Sequence, residues 1–133
     1  MHHIEIYVGN LAQSRRFYSW LLPQLGFVLY QAWTRGSSYR KDSFYIVFVQ
    51  TDDSKLQYGF NRIHVGINHL AFTASYAQQV DEIREQLRAR HIPLLYDDRF
   101  PFAGGPNHYA VFAEDPDRIK IEVVAAHSAK MQD

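Results

Sequence analysis

The chain has no cysteine among its 133 residues. That excludes a disulfide framework, thiol catalysis and thiolate metal sites. It also lacks an excess of charge: Lys plus Arg and Asp plus Glu number 14 each, for a formal net charge of zero. A nucleic-acid surface or a binder of acidic membranes would show a basic excess, so neither partner is expected. No run approaches the ~20 apolar residues that span a bilayer, and no signal-like stretch follows the N-terminus, so a soluble cytoplasmic protein is expected. Glycine and proline are few, 7 and 5, and gather into no linker or low-complexity segment. Aromatic residues, by contrast, are plentiful. Nine Phe and nine Tyr, within 47% hydrophobic residues, supply enough apolar area for a single globular domain over residues 1–133.

The pattern along the chain runs twice. In "HIEIYV" polar and apolar residues alternate, so His2, Ile4, Ile6 and Val8 share one face of a strand and His3, Glu5 and Tyr7 the other. "NLAQSRRFYSWLLPQLGF" reads as a helix capped by Asn10, with Gln13 at capping-box spacing and Pro23 helping to end it. Three strands follow in "FVLYQAW", "RGSSYRKD" and "SFYIVFVQ", then a polar connection, "TDDSKLQYGFNRIHVG". The order restarts with strand "INHLAFTA" and helix "SYAQQVDEIREQLRAR", for which Ser75 is the expected cap with Gln78 three residues on. "PLLYDD", "HYAVFAED" and "RIKIEVVA" are expected as strands, with the Gly/Pro loop "PFAGGPN" between the first two. The result is a βαβββ unit repeated after about 65 residues. Module 1 spans about 1–62 and module 2 about 66–126, with a tail over 127–133.

The repeat places His3 and His69 at equivalent points of their first strands. Two histidines at symmetric positions are natural metal ligands. In "RIKIEVV" Glu122 lies mid-strand among apolar neighbours, where an unpaired carboxylate is expensive to bury. A cation makes that position tolerable; so does a Lys or Arg partner. Two imidazoles and one carboxylate with positions left open is the donor set of non-haem iron and related divalent centres. Glu5 and Tyr7 share the face of His3, where Glu5 can serve as a base, although a solvated face reads as well. His108 and Tyr109 begin a strand beside the Gly/Pro loop; parity allows one of them to point inward, and Tyr109 is the one nominated as an acid-base group. His64 and His91 read as surface residues, Trp20 and Trp33 as core or interface.

"HIEIYVGNLAQSRRFYSWLLPQLGF", "NHLAF" and "VFAEDPDRIKIEVV" together resemble the vicinal oxygen chelate superfamily, the group of glyoxalases, bleomycin- and fosfomycin-resistance proteins and extradiol dioxygenases, in a small single-domain form. The resemblance implies an α+β fold: two βαβββ modules forming a cup-shaped, strongly curved mixed sheet with helices outside. It carries His3, His69 and Glu122 onto the family's metal ligands, holding one divalent ion, Fe(II), Mn(II), Ni(II) or Zn(II). Many glyoxalases add a fourth ligand from the last strand of the first repeat. Aligning "FYIVFVQ" with "RIKIEVV" sets Phe48 opposite Glu122, and phenylalanine cannot ligate, which favours a three-ligand centre. Arg118 stands where the family motif usually has glycine.

The implied function is a divalent-metal enzyme acting on a small molecule with neighbouring oxygens, dioxygenase-like or lyase/isomerase-like. Two rivals are metal-free sequestration of a small toxic ligand and a fosfomycin-resistance-like transferase; for the latter only Lys120 and Arg118 supply positive charge near the matched positions. A homodimer is expected, with His3 of one chain joining His69 and Glu122 of the other.

Overall fold

A computed structural model describes residues 1–127. The tail expected over 127–133 therefore lies, apart from residue 127, outside the described residues. The chain forms two compact units, Met1–Phe60 and a second beginning at Asn61. Each is an α+β module with one four-stranded mixed sheet and one helix.

In the first module β1 (His3–Val8) leads into α1 (Leu11–Gln24), followed by β2 (Val28–Trp33), β3 (Gly36–Lys41) and β4 (Phe44–Gln50). The sheet order is β1-β4-β3-β2, with β1 parallel to β4 and the other pairs antiparallel. The alternation in β1 does what parity requires. Ile6 and Val8 are buried against the helix layer, while His3, Glu5 and Tyr7 are exposed on the opposite face. Helix α1 starts where expected: the Asn10 side chain accepts from the Gln13 backbone N–H at 3.1 Å. Pro23 lies inside its last turn, one residue before the helix ends at Gln24. The end is a Schellman closure, with Phe27 N–H donating to Leu22 C=O at 3.1 Å and Gly26 N–H to Pro23 C=O at 3.2 Å. Gly26 takes φ +92°, a backbone conformation open to glycine and costly for other residues. The stripe Phe17, Tyr18, Leu21 and Leu22 covers the sheet, and Tyr18 stacks on Phe48 with ring centroids 4.0 Å apart.

The second module repeats this plan with β5 (His69–Tyr76), α2 (Ala77–Ala89), β6 (Leu94–Leu95), β7 (Ala110–Glu114) and β8 (Lys120–His127), in sheet order β5-β8-β7-β6. Ala77, Val80, Ile83 and Leu87 are the buried face of α2, the stripe read from the sequence. Its start corrects an expectation. Ser75 is not the cap, because β5 continues through Tyr76, which takes the cap position in extended conformation and makes no side-chain cap bond. Gln79 instead turns back and accepts from the Ser75 backbone N–H at 2.9 Å. Strand β6 is only two residues long, and the chain then passes through a 3-10 turn at Asp97–Arg99. No helix among the described residues is long and apolar enough to cross a membrane.

Register corrects a second expectation. In β5–β8 His69 stands opposite Lys120 and Ala71 opposite Glu122; in β1–β4 His3 stands opposite Tyr45 and Glu5 opposite Val47. The counterpart of Glu122 is therefore Val47, not Phe48. Phe48 has the other parity and lies in the core under Tyr18. A shift of one residue moves a side chain to the opposite face of the sheet. Valine ligates no better than phenylalanine, so module 1 still offers no carboxylate at that position.

Candidate functional site

The open face of the second sheet, away from α2, gathers the polar side chains. Parallel pairing sets His69 and Lys120 side by side, with Glu122 next along β8 and Phe112 opposite it on β7. The carboxylate of Glu122 is buried, with 6% of the side chain exposed, and it is fully engaged. His69 Nε2 lies 2.9 Å from Oε1. His108 Nε2 meets Oε2 from the other side in a short contact. The other nitrogen of His69, Nδ1, lies 2.7 Å from Asn68 Oδ1. The ring's tautomer sets the chemistry of the pair: with the proton on Nε2 the ring donates to the carboxylate, and with Nδ1–H given to Asn68 the Nε2 lone pair and the carboxylate together face a cation.

The structure thus brings His69 and Glu122 together directly and adds His108. Both imidazoles reach the carboxylate itself; among the described residues no group of three or more His, Asp or Glu side chains is set, as it stands, to hold a metal ion. The chemistry of the donors nonetheless fits a divalent cation. Imidazole nitrogens and a carboxylate are its usual ligands, and a second partner on Nδ1, here Asn68, is how such a histidine is normally oriented.

His3 lies on the open face of the first sheet. Its ring stacks on Tyr45, centroids 4.7 Å apart and planes within 2°, and its Nδ1 is 2.8 Å from Nδ1 of His2. Tyr30 leans on Tyr45, and Arg40 lies over the Tyr30 ring at 5.3 Å. Glu5 is exposed on the same face, two residues along β1.

Tyr109 points the other way. Counting back by twos from Phe112, which stands opposite Glu122, puts Ala110 and His108 on the same face, so the expectation is corrected: His108 faces Glu122, and Tyr109 faces the helix layer. Its hydroxyl donates to Asp81 of α2 at 2.5 Å, and the rings of Phe100 and Phe102 close around it. Burial and then the bond to Asp81 push the phenol up to about 12, so it stays protonated at neutral pH. A tyrosine held this way braces the loop. The sequence carries one signal for His108, the Gly/Pro loop before it, but nothing that chooses between neighbours of opposite parity.

Positive charge on this face is limited. The Lys120 ammonium lies over the Tyr96 and Phe112 rings at 5.2 and 5.8 Å. Arg118 occupies the turn before β8 at φ +65°, the left-handed conformation for which the family motif uses glycine, and its Nε is 3.6 Å from Glu114.

Comparison with known proteins follows the same lines. Residues 1–123 match the model of the Glyoxalase/Bleomycin resistance protein/Dioxygenase superfamily. The uncharacterized protein YqjT of Bacillus subtilis (strain 168) is 54% identical over 125 residues, covering 94% of this chain and 98% of that protein. A crystal structure of a candidate glyoxalase from Bacillus halodurans superposes with a TM-score of 0.92 at 54% identity, over 94% of each chain. Lactoylglutathione lyase from Agrobacterium tumefaciens shares the fold alone, at a TM-score of 0.65 and 20% identity over 95% of this chain and 92% of that one. Two βαβββ modules, a histidine on the first strand of each and a glutamate on the last strand of the second stand where the family model runs: the chain belongs to the glyoxalase/bleomycin resistance protein/dioxygenase superfamily.

Proposed function

We propose that the protein is a divalent-metal enzyme acting on a small molecule with two neighbouring oxygens, with His3, His69 and Glu122 as the ligands. The observation that carries this reading is the pairing of His69 Nε2 with the buried Glu122 carboxylate at 2.9 Å. An imidazole nitrogen beside a buried carboxylate is a donor pair that suits a divalent cation. His3 is its counterpart at the same point of the first module, joining from the same chain or from a second copy in a homodimer. A bound ion would supply Lewis-acid polarisation of the two substrate oxygens. Asn68 would hold the His69 ring in its ligating tautomer, the Phe112 ring would form an apolar floor, and Lys120 would place positive charge beside developing negative charge. Tyr109 is not on this face; the tyrosine that is, Tyr96, has its hydroxyl 3.3 Å from Lys120 Nζ, and of the residues nominated from the sequence Glu5 on β1 remains.

A second reading, capture of a small molecule without metal, draws on one observation: both oxygens of Glu122 already have imidazole partners. Metal analysis of protein purified without chelator or added metal decides between them. Near one equivalent of a single transition metal, lost in His69→Ala and in Glu122→Ala, supports the enzyme reading; a metal-free protein that takes up no ion on titration supports capture.

A further inference from the structure

We propose that His108 is the positioning residue for Glu122, and that the absence of a side chain at Gly104 is what lets it take that place. The consequence for metal affinity rests on the reading of Glu122 as a ligand; the positioning itself does not. Three observations carry it. First, His108 Nε2 holds Oε2 of Glu122 while His69 holds Oε1, so the carboxylate is held from both sides. Second, Gly104 packs on the His108 ring: a Cβ built at Gly104 would stand 2.6 Å from His108 Cδ2 and 3.3 Å from Nε2. Real Cβ atoms essentially never approach that closely, so a side chain there makes the ring or the loop shift, and a shift of the ring takes the imidazole off the carboxylate. Gly104 does not have a positive φ, unlike Gly105 at +133°, so its backbone would accept alanine and the ring contact is the only obstacle.

Third, the loop that carries both residues is tied down around them. His108 N–H donates to Gly105 C=O at 3.2 Å, and Gly105 N–H to Phe102 C=O at 3.1 Å. Ala110 N–H donates to Pro101 C=O at 3.0 Å. On the helix side Tyr109 is anchored to Asp81, and Arg84 forks onto Asp97 at 2.8 and 2.9 Å while lying over the Phe100 ring at 4.5 Å. The neighbours of opposite parity divide the work: Tyr109 fixes the loop to α2, and His108 delivers that fixed position to Glu122.

The test uses Gly104→Ala, which keeps every polar group and moves one. His108→Ala and His108→Gln accompany it, since glutamine keeps a donor that can reach a carboxylate. Imidazole nitrogens of the metal-free proteins are read by long-range proton–nitrogen correlation, and Co(II) affinity by titration. In Gly104→Ala and His108→Ala the His69 nitrogens should shift although neither change touches His69, because its carboxylate partner is released. Co(II) should bind about 10- to 100-fold more weakly in both, the loss typical of removing a group that orients a ligand. His108→Gln should recover most of either change. His69 signals in Gly104→Ala and His108→Ala that superimpose on the parent's would overturn the proposal, as would undiminished Co(II) affinity in those variants. If the parent takes up no Co(II), the metal reading fails, and the nitrogen spectra alone decide the role of His108.

Discussion

His91 shows how a single backbone angle can outweigh side-chain chemistry. It closes α2 in the same Schellman geometry that Gly26 gives α1: Ile92 N–H reaches Leu87 C=O at 3.0 Å and His91 N–H reaches Arg88 C=O at 3.0 Å. Gly26 fills the left-handed position without strain, whereas His91 takes φ +59° with a Cβ in place. That conformation costs an ordinary residue about 1–2 kcal/mol, and glycine returns about 0.5–1 kcal/mol of this through its freer unfolded chain. His91→Gly should therefore stabilise the protein by about 0.5–1 kcal/mol, read as a higher urea midpoint at unchanged slope. Gly26→Ala should do the reverse by a similar amount or more, because its added Cβ also meets Lys41 Cε at 3.1 Å. A histidine retained at such a position invites a functional reading from sequence. Here it is an exposed helix terminator, the surface residue it was expected to be.

Among the elements, the attachment of the 96–109 loop to α2 is where charge contributes most visibly. Arg84 makes a bidentate bond to Asp97, and the hydrogen bond first, then the opposing charge, holds the Asp97 carboxyl below the usual carboxylate range against the effect of burial. A depressed folded-state pKa means the stabilisation is complete above the unfolded value, near pH 4, and is lost as pH falls through the folded one. The pair is partly exposed, so its worth lies near the upper end of about 0.2–1 kcal/mol. Asp97→Asn should lower the urea midpoint at pH 7, and the difference should shrink progressively as pH falls below about 4. A loss that stays the same as pH falls would assign the effect to packing on Phe100. The cap of α1 and the stripes of both helices were legible because they depend on local spacing alone. The contact of His69 with Glu122 is set by the β5–β8 register, and from the sequence the two met only through the family resemblance. What escaped was set by details of strand pairing and strand length: Val47 rather than Phe48 as the counterpart of Glu122, β5 running on past Ser75, and the β7–β8 register that sets Phe112, and by parity His108, on the face of Glu122. No residue type announces such an offset, since a strand of Phe, Tyr and Val reads the same one position either way.

For the whole molecule the proposed ligand set makes a thermodynamic demand. Histidines on two separate modules would have to hold one ion. An ion that binds only the folded protein stabilises it by about 2.7 kcal/mol at a concentration 100 times its dissociation constant, which for a chain of this size raises the melting temperature by about 10 °C. If His3 and His69 share that ion, His3→Ala and His69→Ala should each abolish most of the rise, and the double variant should lose no more than either alone. Two independent sites would instead give partial and additive losses. His2→Ala is the comparison: His2 precedes β1 and its Nδ1 lies 2.8 Å from Nδ1 of His3, but it is not one of the proposed ligands and should keep most of the rise. Refolding a His3→Ala chain together with a Glu122→Ala chain then locates the partner. Where one chain's His3 completes the other chain's site, a mixed dimer regains one intact site in two and with it half the bound metal. Where each chain builds its own, the mixture stays as empty as its components.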